Sequence, residues 1–179
     1  MKLYFIRHGQ TDYNIEERIQ GRLERELNAQ GKIQAAEAIK TLPKNIHRII
    51  SSPKVRAKQT AEIINATIQA PLEIWEAFNE VDFGVLAGKT WEEVMELTQD
   101  LTMKDEFRKT NYNLRAFQGE SKEEVEARIR EAIEKIKTQY PNENILVVTH
   151  APIVRMACKI IERKQESIIE NAKLYEFEV

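Results

Sequence analysis

The chain has 179 residues, 42% hydrophobic and 31% charged, with a formal net charge of -2. That suits one domain, residues 1–179, built around one core, with an ordinary soluble balance. There is no global basic field for nucleic acid or an anionic membrane, so any anion must be recognised locally. The longest apolar runs, residues 3–6 and 145–148, are far too short to span a bilayer.

Residues 2–6 are apolar on both faces, as in a strand covered from both sides. No signal-peptide pattern precedes them. Cys158 is the only cysteine, so no internal disulfide can form, and a reducing cytoplasm is the simplest home. Asn28 can cap a helix with apolar positions Ile33, Ala36, Ile39 and Leu42, ended by Pro43. Residues 48–51 read as a second buried strand. Residues 54–68 read as a helix with Val55, Ala57, Ala61, Ile64 and Ile68 on one side.

Thr90 with Glu93 and Ser121 with Glu124 each fit a capping box, in which two side chains satisfy free backbone N–H groups reciprocally. The second opens a long amphipathic helix with Val125, Ile129, Ala132, Ile133 and Ile136, stopped near Pro141. Between the boxes, residues 103–119 are polar with scattered Phe107, Tyr112 and Phe117, and read equally as a mobile lid or a poorly packed surface excursion. Residues 145–149 form a third buried strand. Pro152 suits the first turn of a last helix burying Ile153, Met156, Ala157 and Ile160, with Cys158 a small buried thiol among them. Residues 174–179 alternate as a final strand. Strands alternating with helices imply an α/β sandwich around a largely parallel sheet.

Two of these strands run into a histidine: the first into Arg7-His8-Gly9, the third into His150. The second passes through Ser51-Ser52-Pro53 to Arg56. Ligands of open α/β sheets bind at the carboxyl ends of parallel strands. If these strands are neighbours, Arg7, His8, Arg56 and His150 converge, and two arginines with two histidines suit a phosphate. His47 has no such company and reads as a hydrogen-bonded structural residue. A zinc site from His8, His150, Glu80 and Asp82 is the sharpest rival. The two fixed positive charges disfavour a divalent cation there. No Gly-x-Gly-x-x-Gly or Gly-Lys-Ser/Thr loop supports dinucleotide or nucleoside-triphosphate binding.

Phe5-Ile6-Arg7-His8-Gly9-Gln10-Thr11 resembles the signature of the histidine phosphatase superfamily, the phosphoglycerate mutase-like proteins. The similarity continues through Asn14, Gln20-Gly21 and Leu27-Asn28-Ala29-Gln30-Gly31. It resumes at Ser51-Ser52-Pro53-Lys54-Val55-Arg56-Ala57-Lys58-Gln59-Thr60-Ala61, Asn79-Glu80-Val81-Asp82-Phe83-Gly84, Gly119-Glu120-Ser121 and Val147-Val148-Thr149-His150. The resemblance implies a three-layer α/β/α sandwich and a phosphohydrolase needing neither metal nor cofactor. It implies that His8 becomes phosphorylated, that Arg7, Arg56 and His150 hold the phosphate, and that Glu80 protonates the leaving oxygen. Asn14, Gln20 and Gly21 match the pocket rim. Ala151 stands where the family often has glycine and keeps its N–H for the anion; it also argues against the acid phosphatase and phytase branch. Val85-Leu86-Ala87-Gly88 departs from the family's Trp-Glu-Gly-like run.

These roles make physical demands. His8 must attack through a neutral nitrogen, which the arginines favour by lowering its pKa. Its other ring nitrogen needs an acceptor, for which a carbonyl near Gly9 is the candidate, and Gly9 would let the chain turn closely. Glu80 must begin protonated, so a raised pKa would help. Asp82, two residues on, would point the same way in an extended segment and is the alternative donor.

The implied partner is a small phosphorylated substrate, with no nucleic acid and no membrane. The other readings are a phosphoglycerate mutase, an α-ribazole phosphatase, a phosphoprotein phosphatase, and a module that binds phosphorylated ligands without turnover. Hydrolysis is preferred over mutase chemistry for two reasons. About seventy residues separate Glu80 from His150, without the long mutase insertion, and the final strand leaves no tail to close the pocket.

Overall fold

The computed structural model describes every residue except Gln165 and Ser167. Its elements run β1 (Lys2–Arg7), α1 (Asp12–Ile15), α2 (Ala29–Ala38), β2 (Arg48–Ser51), α3 (Val55–Ile68), β3 (Leu72–Ile74), α4 (Trp91–Thr98), α5 (Met103–Arg108), α6 (Lys122–Gln139), β4 (Ile145–Thr149), α7 (Ala151–Ile161) and β5 (Leu174–Glu178). The strands form one sheet in the order β3-β2-β4-β1-β5. All pairs are parallel except β1 with β5.

Successive strand residues point to opposite faces. Leu3, Phe5, Ile145 and Val147 enter a core shared with Val125, Ile129 and Ile133 of α6 and Ile153 and Met156 of α7. Tyr4, Ile6, Leu146 and Val148 enter a second core, with Ala38 of α2 and Ala57, Ala61 and Ile64 of α3. Helices therefore cover both faces in an α/β/α sandwich, which is why β1 and β4 are apolar along their buried lengths. Cys158 is buried in the first core. No helix among the described residues is long and apolar enough to cross a membrane.

Both capping boxes form: Thr90 and Ser121 accept from the backbones of Glu93 and Glu124, whose carboxylates accept from the backbones of Thr90 and Ser121. Asn28 caps α2 by accepting from the Gly31 N–H at 2.8 Å. The inward face expected there is corrected in its first half: Ile39 and Leu42 pack against the second core, but the positions before them do not. Ile33 is 52% exposed and Ala36 is exposed, whereas Gly31, Ala35 and Ala38 are buried. The cause is a close approach: a Cβ on Gly31 would lie 2.1 Å from the Gln10 carbonyl oxygen, and one on Gly9 2.3 Å from the Gly31 oxygen. Gly31 fits against the loop that follows β1 because it has no side chain.

The surface-excursion reading of residues 103–119 is also corrected. Phe107, Tyr112 and Leu114 are buried in the first core, with the Phe107 and Tyr112 rings 4.5 Å apart. The short edge strand β3 adds a fifth strand to the four expected from the sequence.

Candidate active site

Parallel pairing sets Arg7 of β1 opposite Thr149 of β4, so His8 and His150 leave the sheet side by side. Their ring centroids are 5.3 Å apart. Beyond β2, the Ser52 N–H donates to the Val148 carbonyl at 2.9 Å and directs the chain into α3, whose first turn carries Arg56. The convergence expected of Arg7, His8, Arg56 and His150 is present.

His8 Nδ1 donates to the Gly9 carbonyl at 2.7 Å, so the ring's lone pair is on Nε2. Arg56 Nε donates to that Nε2 at 3.3 Å. Burial, then the charges of Arg56 and Arg7, hold the His8 pKa well below its usual 6.5. The Gly9 N–H donates to Thr60 Oγ1 at 3.0 Å, and Asn171 donates to the His8 carbonyl at 2.8 Å, which fixes the turn.

Arg56 is fully buried and donates to the carbonyls of Gly21 and Leu23 at 2.8 and 2.9 Å. Gly21 adopts φ +49°, a left-handed conformation that glycine tolerates. Arg7 donates to the Ile169 carbonyl at 2.6 Å while its buried Nε has no protein partner among the described residues. Burial lowers the Arg7 pKa to about 10, so it remains charged at neutral pH.

Glu80 is 6% exposed. One carboxylate oxygen accepts from the Val81 N–H at 2.9 Å; the other lies 3.5 Å from His150 Nδ1 and 3.7 Å from Arg56 Nη2. Burial raises its pKa above the usual 4.5, outweighing the downward pull of Arg56, the Val81 amide and Arg7. His150 is fully buried and also held neutral, with Nε2 2.7 Å from Ser52 Oγ.

Asp82 does not share this position, which corrects the expectation that it would point with Glu80. Residues 79–83 form no strand. Asp82 turns back to accept from the Gly84 N–H at 2.8 Å and faces Arg22 at 3.5 Å. The four-residue zinc set is therefore not assembled, and among the described residues no three His, Cys, Asp or Glu side chains are grouped to hold a metal ion. His47 accepts from the Asn144 N–H at 2.8 Å, a structural contact.

The site opens into a cavity of about 300 Å³ whose lining includes Arg7, His8, Asn14, Gln20, Gly21, Glu80 and Ala151. Asn14 also accepts from the Thr11 N–H at 3.0 Å, and the buried Gln20 Oε1 has no protein partner among the described residues. The cavity contains residues that sequence reasoning passed over. Arg155 is 8% exposed, and its buried Nη1 has no partner among the described residues. Phe83, Trp91 and Phe107 form an aromatic wall, with Lys104 and Arg108 nearby. The sequence signal for Arg155 is its place as one charge within the otherwise apolar stretch from Pro152 to Cys158.

Residues 3–179 match the family described as the histidine phosphatase superfamily, branch 1. The chain is 33% identical over 152 residues to the uncharacterized phosphatase PhoE of Bacillus subtilis, spanning 83% of this chain and 71% of that one. It is 33% identical over 150 residues to the putative phosphoserine phosphatase 2 of Hydrogenobacter thermophilus, spanning 83% and 72%. Mouse 6-phosphofructo-2-kinase/fructose-2,6-bisphosphatase 1 is 32% identical over 157 residues, which are 86% of this chain but only 31% of that larger one. The fold superposes on a mycobacterial glucosyl-3-phosphoglycerate phosphatase solved with VO3 at a TM-score of 0.87 and 23% identity, covering 98% and 90% of the two chains. With both histidines and the arginine pocket inside the matched span, the chain belongs to branch 1 of the histidine phosphatase superfamily and is an enzyme of that family.

Proposed function

We propose that the chain is a cytoplasmic phosphohydrolase that removes phosphate from a small phosphorylated metabolite through a phosphohistidine on His8. The observation that carries this reading is the state of the His8 ring, which lines the cavity: Nδ1 is committed to the Gly9 carbonyl, and Nε2, the unprotonated nitrogen, lies against Arg56. In the first step Nε2 attacks phosphorus, the ester P–O bond breaks, and the leaving oxygen takes the proton of the Glu80 carboxyl. In the second, water attacks phosphorus, Glu80 takes a proton from it, and the N–P bond breaks to release phosphate. Arg7, Arg56 and His150 hold the equatorial oxygens, and charge neutralisation of this kind is most of what phosphoryl transfer requires. Asn14, Gln20, Gly21 and Ala151 shape the rim, Gly21 through its carbonyl bond to Arg56.

Hydrolysis is favoured over transfer because the cavity rim includes the exposed residues Glu17 and Ile168, leaving a route for water to phospho-His8. The Nη1 of Arg155, without a partner among the described residues, and the further cavity cations Lys104 and Arg108 favour substrates that carry a second anionic group. The test is phosphate release from a panel of phosphorylated metabolites. His8→Asn should abolish both turnover and any acid-labile phosphoenzyme; near-normal release by that variant overturns the assignment. With 3-phosphoglycerate, with and without 2,3-bisphosphoglycerate, free phosphate should be the main product. Rapid formation of 2-phosphoglycerate with little phosphate released would make the chain a mutase.

A further inference from the structure

We propose that Ser52 is a positioning residue that fixes the tautomer of His150, keeping the ring proton on Nδ1, the nitrogen turned toward Glu80. Ser52 is fully buried and rigidly placed, since its N–H extends the sheet to Val148 at 2.9 Å. Its hydroxyl oxygen lies 2.7 Å from His150 Nε2 and accepts from the Lys54 N–H at 3.3 Å. A hydroxyl has one proton to give and two lone pairs to offer. The Lys54 amide can only donate, so it occupies a lone pair and leaves the Ser52 proton without use there. If His150 also donated through Nε2, the Ser52 proton would be buried with no acceptor among the described residues, which is costly. If Ser52 donates to Nε2, the Ser52 proton and the Nε2 lone pair satisfy each other, and the ring proton left over lies beside a carboxylate oxygen of Glu80.

The proton of the neutral ring must then sit on Nδ1. That nitrogen is buried with no hydrogen-bond partner among the described residues, 3.5 Å from Glu80 Oε2. It is a donor held ready for an oxygen of the bound phosphoryl group, a consequence that rests on the proposed function. In the other tautomer Nδ1 would turn a lone pair toward that anion and repel it. The tautomer assignment itself rests only on the hydrogen-bond accounting.

Long-range proton–nitrogen correlation spectra of the imidazoles in the full chain test this, recorded free and with orthovanadate. Wild type should show His150 protonated at Nδ1 with Nε2 as acceptor. Ser52→Ala should move the proton wholly or partly to Nε2, and should weaken vanadate inhibition and lower kcat/KM by about 10- to 100-fold, the worth of a hydrogen bond to a charged group. Ser52→Thr, which keeps the hydroxyl, should restore the Nδ1–H signature. An Nε2–H tautomer in wild type, or an Nδ1–H tautomer retained in Ser52→Ala, overturns the assignment. A shifted tautomer with unchanged vanadate affinity overturns its role toward phosphate. If Ser52→Ala does not fold, the wild-type spectrum decides alone. A wild-type chain without phosphatase activity would count against the proposed function, while the spectra would still decide the tautomer.

Discussion

At the scale of residues, environment separates two carboxylates that are nearly adjacent in sequence. Glu80 is buried beside His150 and Arg56, whereas Asp82 is tied to Gly84 and Arg22. Glu80→Gln should cost about 10²- to 10⁴-fold in rate with phenyl-type leaving groups, the usual worth of general acid catalysis, and less with leaving groups that need no proton. Asp82→Asn should leave that leaving-group dependence intact, and the reverse pattern would exchange their roles. Burial raises the pKa of Glu80, which favours the protonated acid, so the first step should slow as pH rises through its shifted value. Arg155→Met should lower kcat/KM for esters with a second anion while sparing p-nitrophenyl phosphate; equal losses on both would refute a second anion subsite.

The two buried histidines also link folding to pH. Their folded pKa values lie well below 6.5, so the unfolded chain binds more protons as pH falls through 6.5. Their contribution to stability is complete above pH 6.5 and is lost progressively below it. Melting temperature should therefore fall between about pH 7 and pH 5.5, and His8→Asn, which cannot titrate there, should show a shallower fall. An equal slope in the variant would mean that other groups dominate.

At the scale of elements, legibility follows the locality of the signal. β1 and β4 are readable because burial on both faces makes a long apolar run, β2 from its central Ile49-Ile50 pair, and the capping boxes because both partners lie within one turn. β3 is not, since three residues at a sheet edge carry too little pattern. The buried face of α2 differs from its apolar pattern because its orientation is set by contact with the loop after β1, not by its own apolar residues. Gly31→Ala should accordingly destabilise the fold by about 1–3 kcal/mol, the typical cost of overpacking, and disturb the His8 turn through Gly9. A denaturation midpoint unchanged from wild type would show that the contact yields freely.

At the scale of the whole molecule, the charge of the site comes from arginines, so activity should survive exhaustive chelation and be blocked by vanadate. Loss on chelation with recovery on adding zinc would restore the metal reading. The sequence by itself determined the fold class and the chemical character of the site. Strand periodicity and the residues at strand ends are local properties, and parallel neighbours then bring Arg7, His8, Arg56 and His150 to one edge. Tertiary structure alone decided which carboxylate enters the site, that Arg155 lines the cavity, that residues 103–119 are packed, and which face α2 buries. Each depends on contacts between segments distant in sequence: Arg22 with Asp82, Gln10 with Gly31, Phe83 with Phe107. A side chain's direction in a loop, or a helix's rotation about its axis, is set by such neighbours and carries no local period from which it can be read.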